Sequence, residues 1–289
     1  MEVPSPQVRT AQDLYEEEKT RYITTGCASI DRCLKGGIIR GSITEIAGEA
    51  SAGKTQMAIQ IAIHSLLSEE KHGCNGKALY VYSDPSFPYA RLQDEATSLS
   101  KKHPELSVTD ITERLYVHKV TTSEDILSFI DSLDVSISQS IKMIVIDSMA
   151  TPFRADVNPD YMKRAEVFRN IYMKMKQFAQ ARDVTFLLVN QISTPFTEGI
   201  NYRVGSAAIP SLGNTVTQFT HNRYMVCRRG STYPPASIFD MQHVKDIDTE
   251  NVRGVANDVI RDFYVIFSPR LGPRRTSFTV TQDGVVPLY

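Results

Sequence analysis

Residues 48–55 read Gly48-Glu49-Ala50-Ser51-Ala52-Gly53-Lys54-Thr55, the pattern GxxxxGKT. An apolar stretch, Ser42–Ala47, precedes it. Thr55–Leu67 follows, with Met57, Ala58, Ile61, Ala62 and Leu66 at helical spacing. A strand, a glycine-rich turn and a helix in this order constrain the chain to an α/β fold. The residue types also carry a chemistry. Glycines let the backbone curl until several N–H groups face one phosphate, and the helix adds the positive end of its dipole. Lys54 would set its ammonium against the β- and γ-phosphates, and the Thr55 hydroxyl would ligate Mg²⁺. ATP and Mg²⁺ are the expected cofactors. A plain glycine-rich turn is the alternative, and the strand before and helix after it argue against that.

The remaining pattern agrees. Ala78–Tyr82, Met143–Ile146 and Thr185–Val189 are short apolar runs of the kind buried parallel strands show. Between and around them, residues 11–20, Glu124–Leu133 (with Ser123 as its cap) and Arg164–Arg182 read as helices, the last with Val167, Phe168, Ile171, Met175 and Phe178 inward. Residues 222–226, 263–267 and 276–281 read as later, antiparallel strands. The polar stretch 229–261 reads as an insertion or flexible loop.

Lys and Arg total 32 against 33 Asp and Glu, so bulk positive charge cannot be what grips nucleic acid. Cys27, Cys33, Cys74 and Cys227 form no CxxC pair, which argues against a zinc knuckle and for reduced thiols in the cytosol or nucleus. The first residues carry no apolar core of a secretory signal, and no apolar run approaches the length of a membrane span.

A phosphate loop needs a carboxylate to support its cation, and the apolar run Met143–Ile146 ends in Asp147. Ser148 follows, placed to hydrogen-bond near the metal. Asn190-Gln191 closes the strand Thr185–Val189, and strand C-termini in open α/β sheets face the ligand crevice. Gln191 could therefore report a γ-phosphate, or simply cap its strand.

Taken together these residues resemble the RecA-like recombinases of eukaryotes and archaea, the Rad51 family, from Val8 to Val285. Ile23-Thr24-Thr25-Gly26 with Ile30-Asp31 and Leu34-Lys35-Gly36-Gly37-Ile38 resembles the family's lead-in. Gly41-Ser42-Ile43-Thr44-Glu45 precedes the phosphate loop, and Gly53-Lys54-Thr55-Gln56 has the family's form. Val145-Ile146-Asp147-Ser148 matches its Walker B strand and Val189-Asn190-Gln191 its sensor strand. Leu212-Gly213-Asn214 with Arg223 resembles the segment after its second DNA loop. The resemblance implies a RecA-like P-loop ATPase core over 21–289: a mostly parallel twisted sheet flanked by helices, with antiparallel strands at the C-terminal end. Residues 1–20 become a linker with a partner-docking motif. Arg91 is implied to pack against adenine, and Arg270, Arg274 and Arg275 lie in a segment resembling the family's cap over a neighbour's nucleotide.

Residues 48–56, 150–154 after the Walker B strand and 268–285 resemble a paralogue more than the strand-exchange enzyme, and three departures from the family pattern matter. The family's water-activating Glu is replaced by Asp84 in Tyr80-Val81-Tyr82-Ser83-Asp84, one methylene shorter; Pro85 also allows a simple turn there. A reach error near 1 Å can cost about 10²-fold in rate, so ATP binding with slow hydrolysis is expected. No stretch of this sequence matches the family's helical N-terminal lobe, whether because the sequence is trimmed or because this form is naturally short, so that lobe's duplex-DNA contact is not expected here. Val8-Arg9-Thr10-Ala11 stands where the family has Phe-x-x-Ala, so Val8 and Ala11 are the docking candidates, with less area to bury. An incidental Val in a loose tail is the plain alternative.

The family's two DNA loops would fall at 152–164 and 192–212. Arg154, Lys163 and Arg164 belong to the first and Arg203 to the second, beside aromatic residues suited to stacking on single strands. Asp156, Asp160 and Glu198 dilute that charge, and solvated loops explain the composition equally well. The expected function is an ATP-binding mediator of homologous recombination. Its partners would be another recombinase paralogue, the recombinase filament, and single-stranded or branched DNA held weakly by this chain alone. The nucleus is the expected location, with the cytoplasm second. An active strand-exchange ATPase is the alternative. A P-loop small-molecule kinase is a third, lacking the compact Arg-rich lid it needs.

Overall fold

A computed structural model describes residues 10–136, 140–155, 161–193, 209–210, 219–230, 244–247 and 259–288. Among the described residues eleven strands form the main sheet, in the order β10-β12-β11-β9-β3-β7-β6-β4-β5, with β13 paired to β12 and β8 (Ile209–Pro210) paired to the end of β7. Its middle is parallel: β9 (Asn222–Arg228), β3 (Ile43–Gly48), β7 (Thr185–Ser193), β6 (Ile141–Asp147), β4 (Lys77–Tyr82) and β5 (Leu115–Lys119). β11 (Ile260–Phe267), β12 (Arg274–Thr281) and β13 (Gly284–Pro287) continue it antiparallel.

Helices cover both faces, and strand alternation shows it. Along β7, Leu187 and Val189 join a core with α3 (Lys54–His64) and α4 (Tyr89–Lys102). Phe186 and Leu188 join the opposite core with α6 (Ser123–Ser136) and α8 (Tyr161–Arg182). A strand buried on both sides has to be apolar almost throughout, as the runs in β4, β6 and β7 are.

The lead-in segment folds as a clasp. The Thr24 and Thr25 hydroxyls and the Thr25 N–H all donate to Asp31 in α2 (Ala28–Leu34). Gln60, buried on α3, then fastens three elements: Nε2 donates to the Thr25 and Val285 carbonyls, and Oε1 accepts from Val285 N–H at 2.7 Å. The C-terminal hairpin β12–β13 is thereby seated over the start of α3.

Several expectations are corrected. β9 is antiparallel to β11 as expected but is also parallel to β3, so the sheet changes direction between β9 and β11. The stretch 229–261 overlaps β11, which begins at Ile260, and contains β10 (Lys245–Asp246) paired with β12; residues 231–243 and 248–258 lie outside those described. Ser123 is the first residue of α6 rather than its cap. Thr122 Oγ1 accepts from Asp125 N–H, and Asp125 accepts back from the N–H groups of Thr121 and Thr122. Residues 11–20 form α1 (Ala11–Thr20). All four cysteines are buried thiols outside any disulfide. Among the described residues no helix is long and apolar enough to cross a membrane.

Two titratable groups, half-buried His64 on α3 and buried Glu95 on α4, oppose one another in pH. Burial pushes the Glu95 carboxyl up to about 8 against the pull of Arg91, and burial pushes His64 down to about 4. A raised carboxyl favours the fold at low pH and loses that contribution as pH rises through 8. A depressed imidazole favours it above 6.5 and loses that contribution as pH falls through 4. Replacing Glu95 with Gln is expected to remove about 2–3 kcal/mol of the stability lost between roughly pH 6 and 8, read from urea melts at both.

Candidate functional site

Every residue of β3 is buried, and the strand ends at the sheet centre between β7 and β9. Gly48 lies so close to β9 that a Cβ would sit 2.2 Å from the Val226 carbonyl oxygen. From there the chain curls through Ser51 (φ 60°) to Gly53 (φ 94°), which opens α3. Ala50 and Ser51 are exposed while Ala52 is buried, so the loop stands on one small side chain with its rim outward. The Glu49 carboxylate turns away, accepting from Arg228 N–H at 2.6 Å. The rim is thus lined by backbone and by Lys54 and Thr55. Gln56 Oε1 is buried with no hydrogen-bond partner.

Lys54 is buried, and its Nζ donates to the Glu49 carbonyl at 2.7 Å. Burial pushes its pKa down, while the charges of Asp147 and Glu49 oppose that shift. Asp147 closes β6, paired with Val189 on one side and Tyr82 on the other. Burial raises its pKa and the nearby Asp84 charge adds to that, whereas hydrogen bonds from the Thr55 and Tyr80 hydroxyls oppose it. Tyr80 Oη donates to Oδ2 at 2.7 Å. The structure therefore brings together Lys54, Thr55 and Asp147 as the sequence suggested, and adds Tyr80, which no motif marks. A buried tyrosine in an apolar strand reads as core; only its place in strand register with the Asp-bearing neighbour gives it away.

Asp84 is exposed, two residues past β4. Its turn is tethered on three sides. Ser83 Oγ accepts from Ser148 N–H and donates to the Ser148 carbonyl. Lys119 Nζ donates to the Pro85 carbonyl at 3.1 Å, and the Phe87 ring packs on Tyr80 and Tyr82. The Ser148 hydroxyl shares a hydrogen bond with Thr151. Gln191 stands opposite Gly48 in the β3–β7 register.

Arg91 sits apart from the loop. It donates to the carbonyls of Thr281 and Gln282 in the β12–β13 turn, and its Nε lies 3.2 Å from Glu95 without hydrogen-bond alignment. Its nitrogens are committed to holding the hairpin, which leaves the guanidinium face for any contact with a base. Val280 of that hairpin meets the space above Gly53, 3.0 Å from where a Cβ would lie.

Arg154 lies in α7 (Ala150–Ala155), and Lys163 and Arg164 in the first turn of α8; their side chains are outside the described set. Arg203 and Val8 lie outside the described residues altogether. Ala11 opens α1.

This arrangement fits a phosphate chain. The cradle is all backbone where the ligand would lie, and one buried cation flanks it. Among the described residues no three His, Cys, Asp or Glu side chains converge to hold a metal by themselves. Thr55 and Asp147 suit a cation that arrives with the phosphates.

The phosphate loop at the end of the central strand of a mostly parallel sheet, with antiparallel strands behind it, defines a RecA-like fold. The chain matches the Rad51 family over residues 16–263 and belongs to that family of recombination and DNA-repair proteins. It is 27% identical to the DNA repair protein XRCC3 homolog of Arabidopsis thaliana, over 92% of each chain. It is 29% identical to the DNA repair and recombination protein RadA of Aeropyrum pernix, over 64% of this chain and 57% of that one. The similarity to the XRCC3 homolog supports a Rad51-family paralogue.

Gly48 gives a direct test. Gly48→Ala is expected to force β3 and β9 apart, costing about 1–3 kcal/mol in chemical denaturation. Nucleotide retention should fall with it.

Proposed function

We propose that this chain is an ATP-binding mediator of homologous recombination, acting in a heteromer with another recombinase paralogue. It would load or stabilise the recombinase filament on single-stranded or branched DNA, in the nucleus. The observation that carries the nucleotide reading is the meeting of Lys54, Thr55 and Asp147 around the Gly48–Gly53 loop. Lys54 exchanges its Glu49 carbonyl for phosphate oxygens, at little cost in new desolvation because it is already buried. Thr55 and Asp147 hold Mg²⁺, which neutralises phosphate charge when bound. Tyr80 orients Asp147 from behind, and Gln191 reads the γ-phosphate beside Gly48.

Asp84 supports slow turnover. It is a short carboxylate on a turn whose tethers fix the backbone, so it cannot advance to recover the missing methylene. ATP then acts chiefly as a ligand that stabilises the folded assembly. The partner surface is supported by β5, which ends the sheet with Tyr116 and Val117 exposed, a strand edge suited to an extended segment. Val8 and Ala11 would serve the reciprocal contact on the partner.

Turnover of ATP by the purified chain tests this, with and without single-stranded DNA. Negligible turnover is expected, rising about tenfold or more in Asp84→Glu as the reach is restored. Brisk DNA-stimulated turnover by the unaltered chain would contradict the mediator reading and favour strand exchange.

A further inference from the structure

β4 and β6 run side by side, and their register ends on the pair Tyr82 and Asp147. One more backbone bond follows, from Ser83 N–H to the Asp147 carbonyl at 3.0 Å. There the chain leaves β4 toward Asp84. A side chain takes over from the backbone: Ser83 Oγ accepts from Ser148 N–H at 3.0 Å and donates to the Ser148 carbonyl at 3.3 Å. A hydroxyl has one proton and two lone pairs, so this single group serves both backbone atoms of the residue next to Asp147.

The same segment is held from its other sides. Met149 N–H donates to the Val189 carbonyl in β7 at 3.1 Å. The Ser148 hydroxyl lies 2.7 Å from that of Thr151 in α7 and accepts from Thr151 N–H at 3.3 Å. Tyr80 Oη fixes one carboxylate oxygen of Asp147. The Ser83 bonds add what these do not. Asp84 follows Ser83 in the chain and Asp147 precedes Ser148, so the Ser83 hydroxyl sets how far apart the two carboxylate-bearing residues stand. Burial raises the Asp147 pKa and the Asp84 charge adds to it. Two like charges held this way repel until a cation joins them.

We propose that Ser83 is a positioning residue for the cation that arrives with the triphosphate, its hydroxyl holding the Asp147–Ser148 backbone at a fixed distance from the Asp84 turn. This rests on the reading of the site as one for nucleotide. Tyr80 sets the tilt of the Asp147 carboxylate, and Ser83 sets where its backbone lies. Mg²⁺ demands nearly octahedral oxygens at short range, whereas Ca²⁺ accepts irregular ones. A site whose carboxylate is held from two sides therefore favours Mg²⁺, and loosening one hold costs Mg²⁺ more than Ca²⁺.

Calorimetric titration of Mg·ATP and of Ca·ATP into the unaltered chain, Ser83→Ala and Ser83→Thr tests this, with melts in the absence of nucleotide to check that each variant is folded. Ser83→Cys, which keeps the size and exchanges the hydroxyl for a weak donor, takes the place of Ser83→Ala if the latter does not fold. Ser83→Ala is expected to bind Mg·ATP about fivefold more weakly, the worth of one net hydrogen bond, and Ca·ATP within about twofold of the parent. Ser83→Thr keeps the hydroxyl and should bind Mg·ATP as the parent does. Unchanged Mg·ATP affinity in Ser83→Ala, an equal loss with both cations, or a Thr variant as weak as the Ala variant overturns the proposal alone. Absence of Mg·ATP binding by the parent overturns both it and the nucleotide reading.

Discussion

Gly48 has no room for a side chain, and much of the molecule follows from that. The strand that carries it must lie between two others to be covered on both sides, and the closest neighbour presents a carbonyl where a Cβ would go. Only there can the backbone leave the sheet and curl at once into the turn that opens α3. Sheet order then fixes the rest of the site. β7 delivers Gln191 opposite Gly48, β6 delivers Asp147, and β4 delivers the Asp84 turn, each at the C-terminal end of its strand.

Burial gives this site its electrostatic character. Lys54 is pushed toward its neutral form, and Asp147 likewise, and each opposes the other's shift. Their hydrogen bonds to the Glu49 carbonyl, Thr55 and Tyr80 keep both groups satisfied. Phosphate and its cation can replace those bonds with stronger, charge-assisted ones at little further desolvation. The second buried charge group, Glu45 with Arg223 and Asn190, lies one residue behind the first on the other face. The two faces of β7 therefore carry Gln191 opposite Gly48 and Asn190 bonded to Glu45.

Much of this was legible in the residues because the constraints are local. A glycine-rich loop between strand and helix names its own chemistry, and strands buried on both faces are apolar without interruption. Asp147 was found because the phosphate loop upstream calls for a carboxylate at the end of a neighbouring apolar strand; an Asp at a strand end is a weak signal alone. Tyr80 was quoted within the Asp84 run but given no role, because a tyrosine in an apolar strand looks like packing, and its hydroxyl partner Asp147 is chosen by sheet register across long sequence separation. α4 and α5 (Val108–Arg114) were also missed, since their buried positions are few and mixed with Glu95 and Ser98. The direction of β9 could not be read, because an apolar run has the same pattern parallel or antiparallel. Thr122 rather than Ser123 caps α6 because the reciprocal Asp125 bond selects the register.

The central claim is that the buried Lys54–Asp147 pair exists to receive a Mg-bound triphosphate. Calorimetric titration of the unaltered chain and of Lys54→Ala with Mg·ATP tests it most directly. The account predicts binding by the unaltered chain and at least a tenfold loss in Lys54→Ala, with a melting temperature without nucleotide close to the parent's. Equal affinity in the two proteins, or no binding in either, would contradict it.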